Sequence, residues 1–470
     1  MATSTPVQNW NLAPSAPVDR RERFRRRRRA ADLLVSISWI SASAAVALYL
    51  AYGGAGQFGT VGAAVTSIGI VAGLIGTDLI LIMLVLAARI PVLDRVFGQD
   101  RLMATHRALG KPAVYLILGH ALLLTVGYGI TAGLNPIAQT VSLLQLPDMP
   151  LAYIGTGLLL AVVVTSLVAV RRKFSYEIWH VVHLLSYAAV LTALPHQLSV
   201  GGMLANGTFQ RVYWIALYVV ALGAIATFRV VEPIVKSLQH GVRVAGVELV
   251  APGVASIHLS GRKLTSLGSD GGQFFVWRFW TLKTWWHSHP ISLSAVPTDS
   301  AARITVRALG DGSTRLGRLP RGTRVSIEGP YGLFTDAART SPKLAIVAAG
   351  IGVTPVRALL EHSRIAPGEA TILLRASSED ETYLWDEMHA LANQRGARLY
   401  TSIGRRPRNA QTWLAASDAA RSVHLRSIFP DLAISDLYVC GPQAWTDLVV
   451  AEARANGLPA HQIHTERFDW

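Results

Sequence analysis

Six apolar runs, near residues 33–52, 65–88, 112–132, 151–170, 177–196 and 212–231, limit what this chain can fold into. Each is about as long as a helix must be to cross ~30 Å of hydrocarbon. The polar connections between them divide by charge. Residues 89–111 carry Arg89, Arg95, Arg101, Arg107 and Lys111, and residues 171–173 are Arg-Arg-Lys. The connections 53–64, 133–150 and 197–211 hold one basic residue, Arg211. Lysine and arginine are retained on the cytoplasmic side of a membrane, so this pattern predicts six helices with both termini in the cytoplasm.

Arg20, Arg21, Arg23 and Arg25 to Arg29 place eight arginines in ten positions just before the first run. A nucleic-acid arm and a cleaved leader are rival readings. The run that follows is a full span rather than a short leader core, which favours a topogenic role. Residues 1–30 read as a basic, disordered cytoplasmic tail. Cys440 is the sole cysteine, so no disulfide within the chain and no cysteine-based cluster can form.

After Glu232 the pattern changes. Apolar stretches shorten to five to eight residues with glycine and proline between them, as in 243–249, 273–277, 304–309 and 325–327. That spacing predicts a small antiparallel β-barrel. From Pro342 onward, strands near 344–348, 372–374 and 436–439 alternate with helices, the mark of a parallel α/β sheet. The expected layout is a disordered tail (1–30), a six-helix transmembrane bundle (31–232), an antiparallel barrel (238–340) and a parallel α/β nucleotide-binding domain (341–470).

Histidines in the apolar runs are the strongest local signal. His106 and His120 bracket the third run, 14 residues apart, which on an ideal helix is nearly one face and roughly 21 Å. His183 and His196 stand 13 residues apart on the fifth, where an ideal helix leaves the rings about 140° apart. Pro195, directly before His196, offers a kink that would correct this. Both helices start in the cytoplasm, so His106 lies level with His183, and His120 with His196. Two level pairs suit two haems with bis-imidazole ligation, built for electron transfer. Histidines that merely hydrogen-bond neighbouring helices are the bland alternative. His180, one turn before His183, is the alternative ligand. Asp78, in the second run, is expected to have a hydrogen-bonded structural role.

The later motifs point to a flavin and a nucleotide. His289, Pro290, Ile291 and Ser292 follow a strand, and the Ser292 hydroxyl can bond the edge of an isoalloxazine ring. Arg307 and the turn containing Gly312 and Thr314 supply a fixed cation and backbone N–H groups for a pyrophosphate. Gly350, Gly352, Thr354 and Pro355 lie between a strand and a helix, where glycines admit a pyrophosphate to a helix N-terminus. Cys440, Gly441 and Pro442 end a strand on the ligand-binding edge of the sheet. Near the C-terminus, Phe468 or Trp470 can stack on a flavin.

These residues together resemble the ferric reductase and NADPH oxidase superfamily, over nearly the whole chain after the tail. The membrane half is similar to the ferric-reductase-like domain, with histidine pairs on helices three and five. The later half is similar to the ferredoxin–NADP reductase module. His289-Pro290-Ile291-Ser292-Leu293-Ser294 resembles the oxidase form of the flavin motif, and Phe468 the aromatic that covers the flavin. Here two residues follow Phe468, which leaves Trp470 open for that role.

The resemblance implies an integral protein of a bacterial-type plasma membrane. It implies that cytoplasmic NAD(P)H reduces FAD, which passes electrons to an inner haem b (His106, His183). An outer haem b (His120, His196) then passes them to an external acceptor. Cys440, Phe468 and Ser292 are the implied catalytic residues. Arg375, with Arg405 and Arg406, would meet a ribose 2′-phosphate and favour NADPH over NADH. No EF-hand pattern is present. Oxygen and ferric iron are the leading acceptors. A quinone or an extracytoplasmic redox protein is the alternative, and a non-catalytic nucleotide sensor a distant one.

Overall fold

The computed structural model describes residues 20–171, 173–174, 176–199, 202–408 and 411–466. They form two compact units.

The first unit comprises Ala31–Gln239 and Ser326–Gly332. Its helices are α1 (Arg20–Ala51, shared with the second unit), α2 (Val61–Ala87), α3 (Gln99–Ala132), α4 (Met149–Ser166), α5 (Tyr176–Ser199) and α6 (Phe209–Ile225). A π-turn, Ala226–Val231, carries α6 into a further helix, Glu232–His240. All six are long and apolar enough to cross a membrane. Thr60 and Thr208 start α2 and α6 by accepting from the amides of Ala63 and Arg211.

The first helix begins earlier than the apolar run. Residues 20–30, expected to be a disordered tail, are helical and continuous with the span. Arginine is a good helix former, and Glu22 pairs with Arg26 one turn on, so the charged stretch extends the helix.

Glycines decide how the helices approach. A Cβ on Gly69 would lie 3.0 Å from Leu123, and one on Gly76 3.0 Å from Ile117. Their absence lets α3 lie close against α2. Likewise α5 packs on α4, where Gly155 faces the Ala189 carbonyl. By contrast, α3 and α5 barely approach each other. Asp78, buried on α2, accepts from the Ser41 hydroxyl at 2.6 Å through Oδ1, while its buried Oδ2 has no hydrogen-bond partner among the described residues.

The segment Ser326–Gly332 is held in this unit by charge. Glu328 takes Arg89 at 3.0 Å and Arg229 at 2.9 Å, and Lys236 donates to the Gly329 carbonyl at 2.7 Å. The Gly332 amide donates to buried Asp94 at 3.0 Å. Burial raises the Asp94 carboxyl to about 6, against the Gly332 bond, which lowers it.

The second unit holds residues 20–30, His240–Val325 and 333–466. Its first half is antiparallel. β1 (Arg243–Ala251), β2 (Val254–Ser260) and β5 (Ala301–Arg307) form one sheet in the order β1–β2–β5. β3 (Phe274–Phe279) pairs with β4 (His289–Ser292), with Phe274 opposite Ser292. A bridge from Leu293 to Ile304 links the two sheets. β6 (Val325–Tyr331) starts in this unit at Val325, and its residues from Ser326 on belong to the first unit.

The second half of this unit is a parallel sheet of β7 (Lys343–Ala349), β8 (Ala370–Ala376), β9 (Arg398–Ile403), β10 (Ser435–Cys440) and β11 (Ile463–Glu466). The order is β11–β10–β7–β8–β9. Helices α7 (Val353–His362) and α8 (Trp385–Arg395) contribute to the core on one face, and α9 (Gln443–Ala455) to that on the other. With both faces covered, β7 is apolar at nearly every position.

Asp436 is the exception inside β10. It is fully buried and accepts from the Thr340 amide at 2.9 Å, from the Ser341 amide and from His464 Nε2 at 2.8 Å. Replacing Asp436 by Ala leaves these donors unpaired and should cost about 3 kcal/mol. A lowered urea midpoint, followed by flavin fluorescence of the full chain, would register the loss.

Candidate functional site

In the first unit, α2 orients the histidines of α3. His106 Nδ1 lies 3.1 Å from the Met83 carbonyl, and His120 Nδ1 2.8 Å from that of Gly69. A carbonyl only accepts, so Nδ1 carries the proton in both rings and Nε2 keeps its lone pair for a ligand. Gly73 makes room for this, because a Cβ there would sit 2.3 Å from His120 Nδ1.

Opposite them, His183 faces His106 with ring centroids 6.2 Å apart and planes at 61°. His183 stacks on Trp179 at 4.9 Å, and its Nδ1 lies 3.4 Å from Ser166 Oγ, which accepts from Trp179 Nε1 at 3.2 Å. His196 lies within electrostatic reach of His120 and beside the backbone of Ala193, one turn earlier on α5. α5 runs through Pro195 to Ser199 as one helix.

In the second unit, β4 carries the motif read from sequence. His289 Nε2 and Ser292 Oγ are both buried and without a hydrogen-bond partner. A polar atom in that state calls for a ligand to satisfy it. Gly312 lies beside His289, where a Cβ would stand 3.6 Å from Cε1. Burial, with the charges of His287 and Arg278, pulls the His289 imidazole down to about 4. Pro290 and Ile291 complete the strand, with Trp277 Nε1 donating to the Ile291 carbonyl at 2.9 Å.

A network that sequence spacing does not reveal holds the end of this motif. Arg303 grips Glu387 at 2.9 and 2.8 Å and also bonds Ser294. Arg357, on α7, donates to the Ser294 carbonyl at 3.1 Å and to Glu387. Burial pushes the Glu387 carboxyl up, but the two arginines hold it below its ordinary value. These partners lie in separate stretches of the chain, so only the fold brings them together.

The glycine loop and the end of β10 meet closely. Gly350 has φ +54°, and a Cβ on Gly352 would lie 2.2 Å from the Cys440 carbonyl. Only glycine fits there. Thr354 donates to the Ile351 carbonyl at 3.0 Å, and Pro355 is buried in the first turn of α7. Gly441 and Pro442 lead into α9. The Cys440 thiol is fully buried, and burial followed by Glu466 raises it far above its ordinary value, so it is neutral.

Two expected phosphate contacts look different in the fold. Arg375 is buried, and its guanidinium donates to the carbonyls of Ala376, Ser402 and Gly404. It ties β8 to the end of β9 and is not presented to a 2′-phosphate. Arg307 pairs with Glu381 at 3.0 Å, and Thr314 donates to the Gly310 carbonyl at 2.9 Å. Phe468 and Trp470 lie outside the described residues.

Comparison with known proteins agrees with this division. The family described as ferric reductase like transmembrane component matches residues 72–194, and the oxidoreductase NAD-binding domain matches residues 346–450. The chain belongs to the ferric reductase and NADPH oxidase superfamily. Ferredoxin–NADP reductase B of Sorangium cellulosum is 33% identical over 34% of this chain and 68% of its own length. The ferredoxin reductase component of 3-ketosteroid-9-alpha-monooxygenase from Rhodococcus rhodochrous is 25% identical, over 42% of this chain and 55% of its own length. The chain thus spans just over two thirds of the first relative and about half of the second. The flavohem-like FAD/NAD-binding domain of a nitric oxide dioxygenase from Vibrio cholerae is 21% identical. It covers 48% of this chain and 97% of that one, with a TM-score of 0.38. This superfamily member is an integral membrane oxidoreductase and a flavoprotein that uses NAD(P)H.

His289 of the oxidoreductase gives a test with a definite sign. The folded imidazole stays neutral down to about 4, whereas the unfolded chain binds that proton below about 6.5. Its contribution to stability is therefore complete above about pH 6.5 and declines as pH falls towards 4. Replacing His289 by Gln should flatten the pH dependence of the urea midpoint in that window and leave it unchanged above.

Proposed function

We propose that this oxidoreductase moves electrons across the membrane, from cytoplasmic NAD(P)H through FAD and two haem b groups to oxygen or ferric iron on the other side. The observation that carries this reading is the opposition of His106 and His183 at 6.2 Å, with each α3 imidazole tied through Nδ1 to α2. Two metal–imidazole bonds of ~2 Å each suit a ring separation of that order. Among the described residues no cluster of three or more His, Cys, Asp or Glu could hold a metal ion. In this reading a macrocycle supplies the metal's other ligands, and the separation of α3 from α5 suits one. FAD, when bound, would supply the conversion of a hydride into single electrons, and haem held by these histidines would supply one-electron relay.

The chain's own residues have defined parts in this reading. The carbonyls of Met83 and Gly69 fix the tautomer and ring angle of His106 and His120. Ser166 and Trp179 position His183. Ser292 and neutral His289 offer a hydroxyl and an uncharged ring nitrogen to the flavin edge. Gly350 and Gly352 allow the nucleotide to approach the N-terminus of α7. The neutral thiol of Cys440 places no charge beside a dihydronicotinamide. Arg405 and Arg406, exposed after β9, take over from Arg375 the recognition of a 2′-phosphate, which favours NADPH. The basic connections keep both termini in the cytoplasm.

Haem counting tests the proposal. Protein from haem-replete cells should bind about two haems per chain. Replacing His106 or His183 by Ala should remove one, and His120 or His196 the other, while replacing His180 removes neither. Gly73→Ala, which drives a methyl into the His120 ring, should lower the outer haem content selectively. Absence of haem from the unmutated protein would overturn the reading. Superoxide and ferric-reduction assays on that sample would separate the two acceptors.

A further inference from the structure

The loop between β3 and β4 leads into the flavin motif, with His287 6.3 Å from His289, and its outer surface is unusual. Trp280 is 51% exposed, Leu282 96%, Trp285 51% and Trp286 53%. Four large apolar side chains within seven residues form a patch that a water-facing loop seldom carries.

The loop is built to hold them outward. Thr284 is buried beneath it, with Oγ1 donating to the Phe279 carbonyl at 2.7 Å and 2.7 Å from Thr281 Oγ1. The amides of Thr284 and Trp285 donate to the Thr281 carbonyl at 3.2 and 3.0 Å, and that of His287 to Thr284 at 3.1 Å. The apolar side chains are therefore displayed on a closed turn.

Its charge is one-sided. Between Asp270 and Asp299 there is no acidic residue, while Arg278 and Lys283 fall within that stretch. Arg278 and Arg315 donate to the carbonyls of Trp285 and Lys283 at 3.3 and 3.4 Å, so three cations surround the patch. The helix that continues the last span ends at His240 and β1 starts at Arg243, so a short link joins that span to the module carrying the loop. Tryptophan with leucine and a rim of lysine and arginine is the composition of a membrane–water interface.

We propose that the loop from Phe279 to His287 is an interfacial anchor that seats Trp280, Leu282, Trp285 and Trp286 in a bilayer surface bearing anionic headgroups. It gives the flavin module a second, reversible attachment besides its covalent link to the last span. The inference rests on the chain being a membrane protein and not on haem or on any acceptor.

Leu282 gives a clean probe, because Cys440 is the sole cysteine and is fully buried. FAD-loaded full-length Leu282→Cys protein, labelled with an environment-sensitive fluorophore, would be placed in nanodiscs containing phosphatidylglycerol. Blue-shifted emission, quenched at least about twofold by doxyl lipids, is expected. The quenching should weaken in phosphatidylcholine alone, at high salt, and with Trp285→Ser and Trp286→Ser added. Emission typical of water, unquenched in every lipid, would overturn the proposal. So would a blue shift that ignores the lipid quencher, which would mean a protein surface or the bound cofactor covers the loop. Equal quenching in neutral lipid would overturn the anionic requirement. Should the double tryptophan variant fail to fold, the Leu282 reading decides alone.

Discussion

A hydrocarbon interior gives an imidazole nothing to bond with, and most of the membrane unit follows from that constraint. His106 and His120 turn to the nearest acceptors, carbonyls of α2. Such a bond needs α2 and α3 unusually close, which is why Gly69, Gly73 and Gly76 line the contact. With Nδ1 committed, the other nitrogen of each ring is free to serve a ligand. α5 leans on α4 and not on α3, so the two histidine-bearing helices stand apart with rings opposed.

The second unit solves the same problem in the reverse way. His289 Nε2 and Ser292 Oγ are buried and left unpaired. Each orphaned polar atom costs about 1–3 kcal/mol, so the fold must hold them there by other means. It does so just downstream, where Ser294 is gripped by Arg303 and Arg357, themselves joined through Glu387. The same network joins β5, α7 and α8. The strand bearing the flavin motif and the helix that opens at Gly352 are therefore parts of one rigid assembly.

Some of this was legible in the sequence, for physical reasons. Ionisable residues in long apolar runs are costly and so stand out, which drew attention to His106, His120, His183 and His196. A glycine turn between an apolar strand and a helix is equally local, hence the early reading of Gly350 to Pro355. What stayed hidden depends on backbone or on distance in the chain. Carbonyls of Met83 and Gly69 have no sequence signature, and Gly73 looked like any small residue in a span. The Ser294–Arg303–Arg357–Glu387 contacts join residues far apart. The Arg-rich stretch read as disordered on charge alone, whereas continuity with a long helix outweighs the repulsion. The 13-residue spacing on α5 looked like a defect under ideal-helix arithmetic. That arithmetic describes one straight helix, and the position of a ring relative to a partner also depends on how two helices cross.

Arg375 shows the limit of reading function from position. It lies where a strand ends at the ligand-binding edge, and a guanidinium there suggests an anion. Yet the two terminal nitrogens of this buried guanidinium already donate to carbonyls at the ends of β8 and β9. Once bonded to them, Arg375 stiffens the edge of the sheet, and the exposed arginines after β9 are left to meet solvent or a ligand. An exposed cation gives up little on binding and is readily screened by salt. A preference for a phosphorylated nucleotide, if built on Arg405 and Arg406 as proposed, would for that reason be modest and adjustable, whereas the β4 motif is held by the buried contacts of Ser294.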